Sequence, residues 1–255
     1  MTALAAHTPH RIGLAGMMRL VVRVAAMALL LLACALLYYL FRLLRRPNPW
    51  PRVFLHGIAL IAGVELTIEG DAPRTGTFLI ANHVSWIDIP ALAAAAGTAF
   101  VGHDGLASTP LLKTLCVMND TVFIARHDRA SVQAQVEAVR TAIRDTGALT
   151  IFPEGTTSDG TALLPFKSSL LSALEPIPAG IAVVPVLLDY GPEAAEVAWV
   201  GAEHGVANFC RILARSRPVR LTVRFLPALD GAAAANRKTI ATHARAAIHA
   251  AMAEA

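Results

Sequence analysis

The chain has 255 residues, a formal net charge of +4 and a pI near 9.3. Hydrophobic residues make up 55% of it and mean hydropathy is +0.55, values that a chain wholly in water seldom reaches. Three widely separated cysteines, Cys34, Cys116 and Cys210, exclude a disulfide framework or a cysteine metal site. No nucleic-acid motif accompanies the basic balance, which points instead to a membrane surface or an anionic substrate.

In chain order, the first feature is the uncharged run Val24–Phe41, VAAMALLLLACALLYYLF. As a helix it would measure roughly 27 Å, about the thickness of a bilayer core. Arg19 and Arg23 precede it; Arg42, Arg45, Arg46, Pro47, Pro49 and Trp50 follow. Tyr38, Tyr39 and Trp50 suit a headgroup interface. The run is long for a signal peptide and no small-residue cleavage site follows. Residues 1–50 are therefore expected to form a membrane anchor, either crossing the bilayer or entering one leaflet and turning back at the prolines.

After Pro51 the pattern shifts to short β-like runs alternating with helical stretches. Strands are expected at 64–70, 77–82, 121–126, 148–152, 181–190 and 219–229, several of them apolar on both faces as in a covered sheet. Between them, Val132, Val136, Val139 and Ile143 fall on one face of a helix over 131–145, with Gly147 at its C-cap. A terminal helix is expected over 236–253. The alternation predicts an α/β domain over 51–255, one mixed sheet with packed helices, preceded by the N-terminal membrane helix. Arg211, Arg215, Arg217, Arg220 and Arg224 form a second basic cluster, expected to meet anionic lipid headgroups.

Three blocks carry chemistry. Asn82-His83-Val84-Ser85-Trp86-Ile87-Asp88 lies between a predicted strand and a predicted helix, a place where catalytic side chains gather. Of nine histidines only His83 has an aspartate five residues on, although about 0.3 such pairs are expected by chance. An imidazole whose second ring nitrogen is held by a carboxylate is a competent general base toward an alcohol. The substrate then supplies the nucleophile, so no serine is needed. The second block is Thr121-Val122-Phe123-Ile124-Ala125-Arg126, where Arg126 could clamp a phosphate or carboxylate. The third, Phe152-Pro153-Glu154-Gly155-Thr156-Thr157-Ser158-Asp159-Gly160, is a polar loop after a strand. It is neither a P-loop nor a nucleophile elbow. His103-Asp104 and His127-Asp128 are adjacent pairs that cannot easily form a base–orienter geometry; with His56 and His204 they are read as structural.

In this order the blocks resemble the glycerolipid acyltransferase family typified by lysophosphatidic acid acyltransferases. The resemblance spans roughly 60–190 and rests on Asn82, His83 and Asp88, then Phe123, Ile124 and Arg126, then Phe152 to Gly155, and finally Val184-Pro185-Val186. It implies acyl transfer from acyl-CoA or acyl carrier protein to the free hydroxyl of a lysolipid, foremost 1-acylglycerol-3-phosphate. His83 and Asp88 would be catalytic, and Asn82, Ser85, Phe123, Arg126, Glu154, Gly155 and Thr156 would bind substrate. No metal, organic cofactor or nucleic acid is implied. Thr157 stands where many members have Arg, and Val101-Gly102-His103-Asp104-Gly105 stands where many have a lysine. Both departures point to a less anionic acceptor and make a lyso-ornithine lipid the alternative. A non-catalytic membrane lipid-binding protein is the reading from another class. The expected location is the inner (cytoplasmic) membrane, with the catalytic domain on the cytoplasmic side.

Overall fold

A computed structural model describes residues 12–73, 75–103, 110–124, 132–174, 180–201 and 203–254. Helix α1, Leu14–Leu43, is longer than the apolar run alone, because Leu14 to Arg23 continue it. At 1.5 Å per residue its length is about 45 Å. Leu14, Met18, Val22, Leu29, Leu32, Leu36 and Leu43 are exposed and share one face. Gly16, Met27 and Cys34 are buried on the opposite face. The chain then turns at Pro47-Asn48-Pro49, where the Asn48 amide donates to the Tyr38 carbonyl at 3.0 Å.

Helix α2, Trp50–Ala62, fills the stretch before the first expected strand, where no element was anticipated. Its aromatic and β-branched residues suggest strand, but packing against α1 overrides that local preference. Gly57 permits the close approach, since a Cβ there would lie 2.5 Å from Leu30 Cδ2. Gly63 ends α2 in the left-handed region at φ 83°.

Among the described residues seven strands form a single sheet: β1 Val64–Glu69, β2 Thr77–Ala81, β3 Ala99–His103, β4 Val122–Ile124, β5 Ala148–Ile151, β6 Ala182–Asp189 and β7 Val219–Phe225. Their order is β1-β7-β6-β2-β5-β3-β4. The β6–β7 pair is antiparallel and every other pair is parallel, so the sheet is mixed, as expected. β3 was not anticipated. It is five residues long, follows the Ala-rich helix α3 (Asp88–Ala96) and contains Gly102, all of which obscure a period of two.

Both faces of the sheet are covered. Along β2, Leu79 and Ala81 enter one core with Met27, Ala59, Ala62, Leu92, Ile212 and Leu213, from α1, α2, α3 and α7 (Gly205–Leu213). Phe78 and Ile80 enter the other with Val139 and Ile143 of α5 (Val132–Thr146) and Ile240 and Ala244 of the terminal helix α8 (Arg237–Ala253). The alternation within one buried strand shows why β2 carries no exposed residue. The smaller helices α4 (Pro110–Met118) and α6 (Ala194–Val197) complete the set. Gly147 follows α5 at φ 87° and donates to the Ile143 carbonyl at 2.7 Å, the expected C-cap. Asn236 and Thr239 form a capping box at the start of α8.

Two arginines fasten α1 to the sheet domain. Arg19 Nε donates to the Ala214 carbonyl at 3.0 Å. Arg23 donates to the carbonyls of Leu213 at 2.9 Å and Arg215 at 3.1 Å. They thereby satisfy open carbonyls at the negative end of α7.

The arginines of the second basic cluster form ion pairs. Arg211 pairs with Glu203, Arg215 with Glu193, Arg217 with Glu196, Arg220 with Glu65 and Arg224 with Glu69. The last two follow from register, because β1 and β7 set Glu65 beside Arg220 and Glu69 beside Arg224. Each of these arginines thus has a glutamate partner that the sequence alone does not reveal.

Candidate active site

The loop after β2 is built around the backbone of Asn82 and His83. The Asn82 side chain accepts from the Leu188 N–H at 2.7 Å and donates to the Leu188 carbonyl at 3.0 Å. It thus continues the β2–β6 pairing with a side chain that is itself buried. The His83 N–H donates to Glu154 Oε1 at 2.9 Å, and the His83 carbonyl accepts the Ser158 N–H at 2.7 Å. The Val84 carbonyl accepts the Trp199 N–H at 3.0 Å. The first and third sequence blocks, some seventy residues apart, are therefore stitched together through main chain.

Five residues on, Asp88 opens α3 and turns back. Its Oδ2 lies 2.7 Å from His83 Nδ1 and accepts the N–H groups of Val84 at 2.7 Å and Ser85 at 2.9 Å. Oδ1 accepts the Tyr190 hydroxyl at 2.5 Å. A carboxylate in the first turn also meets the positive end of the helix. The Asp88 side chain is fully buried, whereas that of His83 is 19% exposed. With Nδ1 committed to Asp88, Nε2 is the ring nitrogen left to take a proton. The His83 ring stacks on Phe152 with centroids 4.1 Å apart and planes 16° apart, which fixes its tilt.

Glu154 is also buried. Besides the His83 N–H, its Oε2 accepts the Leu164 N–H at 3.1 Å. Burial pushes its carboxyl up to about 7, against the opposing pull of those two N–H donors and of His83; the Asp88 charge adds to the rise. Gly155 has φ 69°, and a Cβ there would lie 3.1 Å from the Lys167 ammonium. Thr156 is exposed, and the Thr157 hydroxyl donates to the Trp199 carbonyl.

Of the residues expected at the site, His83 and Asp88 meet directly, and Gly155 and Thr156 lie on the adjoining loop. Asn82 and Glu154 are turned inward as struts, not outward toward a ligand. Ser85 Oγ is wholly buried with no hydrogen-bond partner among the described residues. Phe123 sits on β4, separated from β2 by β5 and β3, roughly 14 Å across the sheet. Arg126, Asp104, His127 and Asp128 lie outside the described residues. His204 is structural as read, accepting the Val206 N–H at the start of α7. Sequence reasoning missed Tyr190. It stands directly after the apolar strand β6, and a phenol in that place was the available signal. Among the described residues no group of three or more His, Cys, Asp or Glu is placed to hold a metal.

Known proteins resemble this chain in sequence and in fold. Residues 63–189 match the family described as Acyltransferase. The chain is 32% identical over 255 residues to a lyso-ornithine lipid O-acyltransferase of Rhodobacter capsulatus, covering 94% of this chain and 92% of that protein. It is 31% identical to one from Rhizobium meliloti, covering 86% of this chain and 82% of the relative. A 1-acyl-sn-glycerol-3-phosphate acyltransferase of Neisseria meningitidis is 33% identical over 55% of this chain and 56% of its own length. The fold matches the crystal structure of the 1-acyl-sn-glycerophosphate (LPA) acyltransferase PlsC from Thermotoga maritima, with a TM-score of 0.62 and 19% identity over 94% of this chain and 97% of that one. The ordered motifs, the mixed sheet and these relatives set aside a non-catalytic lipid-binding role: the chain belongs to the glycerolipid acyltransferase family and is an O-acyltransferase acting on lysolipids.

Proposed function

We propose that His83 is the general base and Asp88 its orienting partner in acyl transfer to a lyso-ornithine lipid. The observation that carries the reading is the 2.7 Å contact between His83 Nδ1 and a carboxylate that is itself buried and held by main chain. Asp88 fixes the tautomer with Nε2 free. As the acceptor oxygen attacks the thioester carbonyl, its proton passes to Nε2, and Asp88 steadies the imidazolium. The carbon–sulfur bond then breaks, the acyl group remains on oxygen as an ester, and the proton leaves with the thiol. Acyl-CoA or acyl carrier protein is the donor.

The acceptor assignment draws on the lyso-ornithine relatives, which align along most of the chain, and on Thr157. Many family members carry a cation at that position, whereas here a hydroxyl is tied to the Trp199 carbonyl. Lysophosphatidic acid is the second reading, favoured by the Neisseria relative. Residues 51–255 would form the catalytic domain and 1–50 the anchor. The unbroken apolar face of α1 supports attachment at the cytoplasmic membrane, with the site on the side where thioester donors occur.

Purified full-length protein in mixed micelles, given acyl-CoA or acyl carrier protein and either lysolipid, would release thiol in step with acceptor consumed. His83→Ala should lower turnover by about 10²–10⁴-fold. Near-normal turnover in that variant would refute the base assignment, and preference for lysophosphatidic acid would refute the acceptor.

A further inference from the structure

Asp88 is served unevenly. Three donors converge on Oδ2, from His83, Val84 and Ser85. Oδ1 has one partner among the described residues, the Tyr190 hydroxyl at 2.5 Å. Tyr190 is 3% exposed and lies a short step beyond the place where the Asn82 side chain grips Leu188, so the β2–β6 register delivers the phenol to the carboxylate. We infer that Tyr190 is a positioning residue for acyl transfer, which sets the direction and charge of the Asp88 carboxylate and, through it, the basicity of His83. The inference rests on the general-base reading of His83.

The phenol is buried against Asp88 and acts through it. Burial, together with the negative charge of Asp88 beside it, raises its pKa well above the ordinary tyrosine range, so it remains a donor wherever the enzyme works. A hydrogen bond to a buried carboxylate draws charge toward the donor. Removing it leaves more negative charge facing the imidazole and strengthens the hold on the imidazolium proton. It also leaves Oδ1 buried and unpaired, so the carboxylate is freer to turn. Among the described residues, the titratable groups facing His83 are Asp88 from α3 and Glu154 from the loop after β5. Tyr190 has Asp88 as its charged neighbour.

The test is Tyr190→Phe in the full-length enzyme, with the pH–rate profile as readout. On the alkaline plateau kcat should fall about tenfold, the lower end expected for losing a hydrogen bond to a charged group. The acid limb should move up by about half a unit to one unit, because the imidazolium is held more tightly. Asp88→Asn removes the charge that the phenol serves, so adding Tyr190→Phe to it should change kcat by less than about twofold. An unchanged profile overturns the inference, as does an equal loss at every pH that multiplies with Asp88→Asn. If Tyr190→Phe fails to fold while the double variant folds, the hydroxyl is needed to hold the charge, as argued; if both fail, Tyr190 is a packing residue and the inference falls. Failure of the general-base reading itself is separate, since His83→Ala would then retain turnover whatever Tyr190 does.

Discussion

Glu154→Gln separates a strut from a charge. In the fold one carboxylate oxygen holds the His83 N–H and the other holds the Leu164 N–H. An amide has the same shape, but one of its two heteroatoms becomes a donor facing a donor, which costs about 1–3 kcal/mol at every pH. The wild-type carboxyl carries a pH-dependent cost that the amide lacks. Its ordinary value is 4.5 and burial raises it to about 7. A folded-state value above the unfolded one favours folding fully below 4.5, and that advantage is lost as pH rises through 7. At about 1.4 kcal/mol per unit, wild type should lose roughly 2–3 kcal/mol between about pH 5 and about pH 8 through this one group. The variant should therefore be clearly less stable than wild type at the acid end and close to it at the alkaline end. Urea midpoints of both proteins in one detergent, measured across that range, read the difference; other titrating groups cancel. Parallel midpoint curves would refute the claim that Glu154 is a buried carboxyl with a raised pKa.

Three further outcomes follow from the same geometry. Asn82→Ala should lower the thermal midpoint, by the equivalent of about 2–4 kcal/mol, because it leaves the N–H and carbonyl of Leu188 buried and unpaired; an unchanged midpoint would show that the β2–β6 clamp is dispensable. Arg23→Met should loosen α1 from the end of α7, read as faster amide exchange in 205–213 with little change in turnover on micellar substrate. Equal exchange in both proteins would mean that the helix contact bears no load. Gly155→Ala should destabilise the loop by about 1–2 kcal/mol, since φ 69° disfavours a side chain and Lys167 must move aside; a variant as stable as wild type would show that the loop can relax.

The sequence carried the sheet well where strands are long and apolar, and poorly where composition misleads. β2, β5 and β6 were legible because a covered parallel strand has few alternatives. α2 was hidden by its aromatic and β-branched residues, and β3 by alanines that continue the pattern of α3. At the site, the pairing of His83 with Asp88 was legible because the motif and its chemistry agree. The roles of Asn82 and Glu154 were not. Both are polar residues in the motifs, and from sequence a polar motif residue points to a ligand. Only the backbone partners at Leu188, His83 and Leu164 show that they bind the protein to itself.

That inward turn explains how a spacing close to chance becomes a fixed geometry. Histidine and aspartate five residues apart can meet in many loops, but few such loops would hold still. Here the His83 main chain is gripped by Glu154 and Ser158 on one side, and the loop behind it by Trp199. The ring rests on Phe152, and the carboxylate is fixed by two N–H groups of its own loop and a phenol just beyond β6. Every one of those partners except Val84 and Ser85 comes from a distant part of the chain. The motifs are therefore ordered along the sequence for a physical reason: the loop after β2 carries the His83–Asp88 pair, the loop after β5 carries the grip, and the residue that follows β6 carries the phenol. Parallel pairing of β2 with both β5 and β6 brings their C-terminal ends to one edge of the sheet.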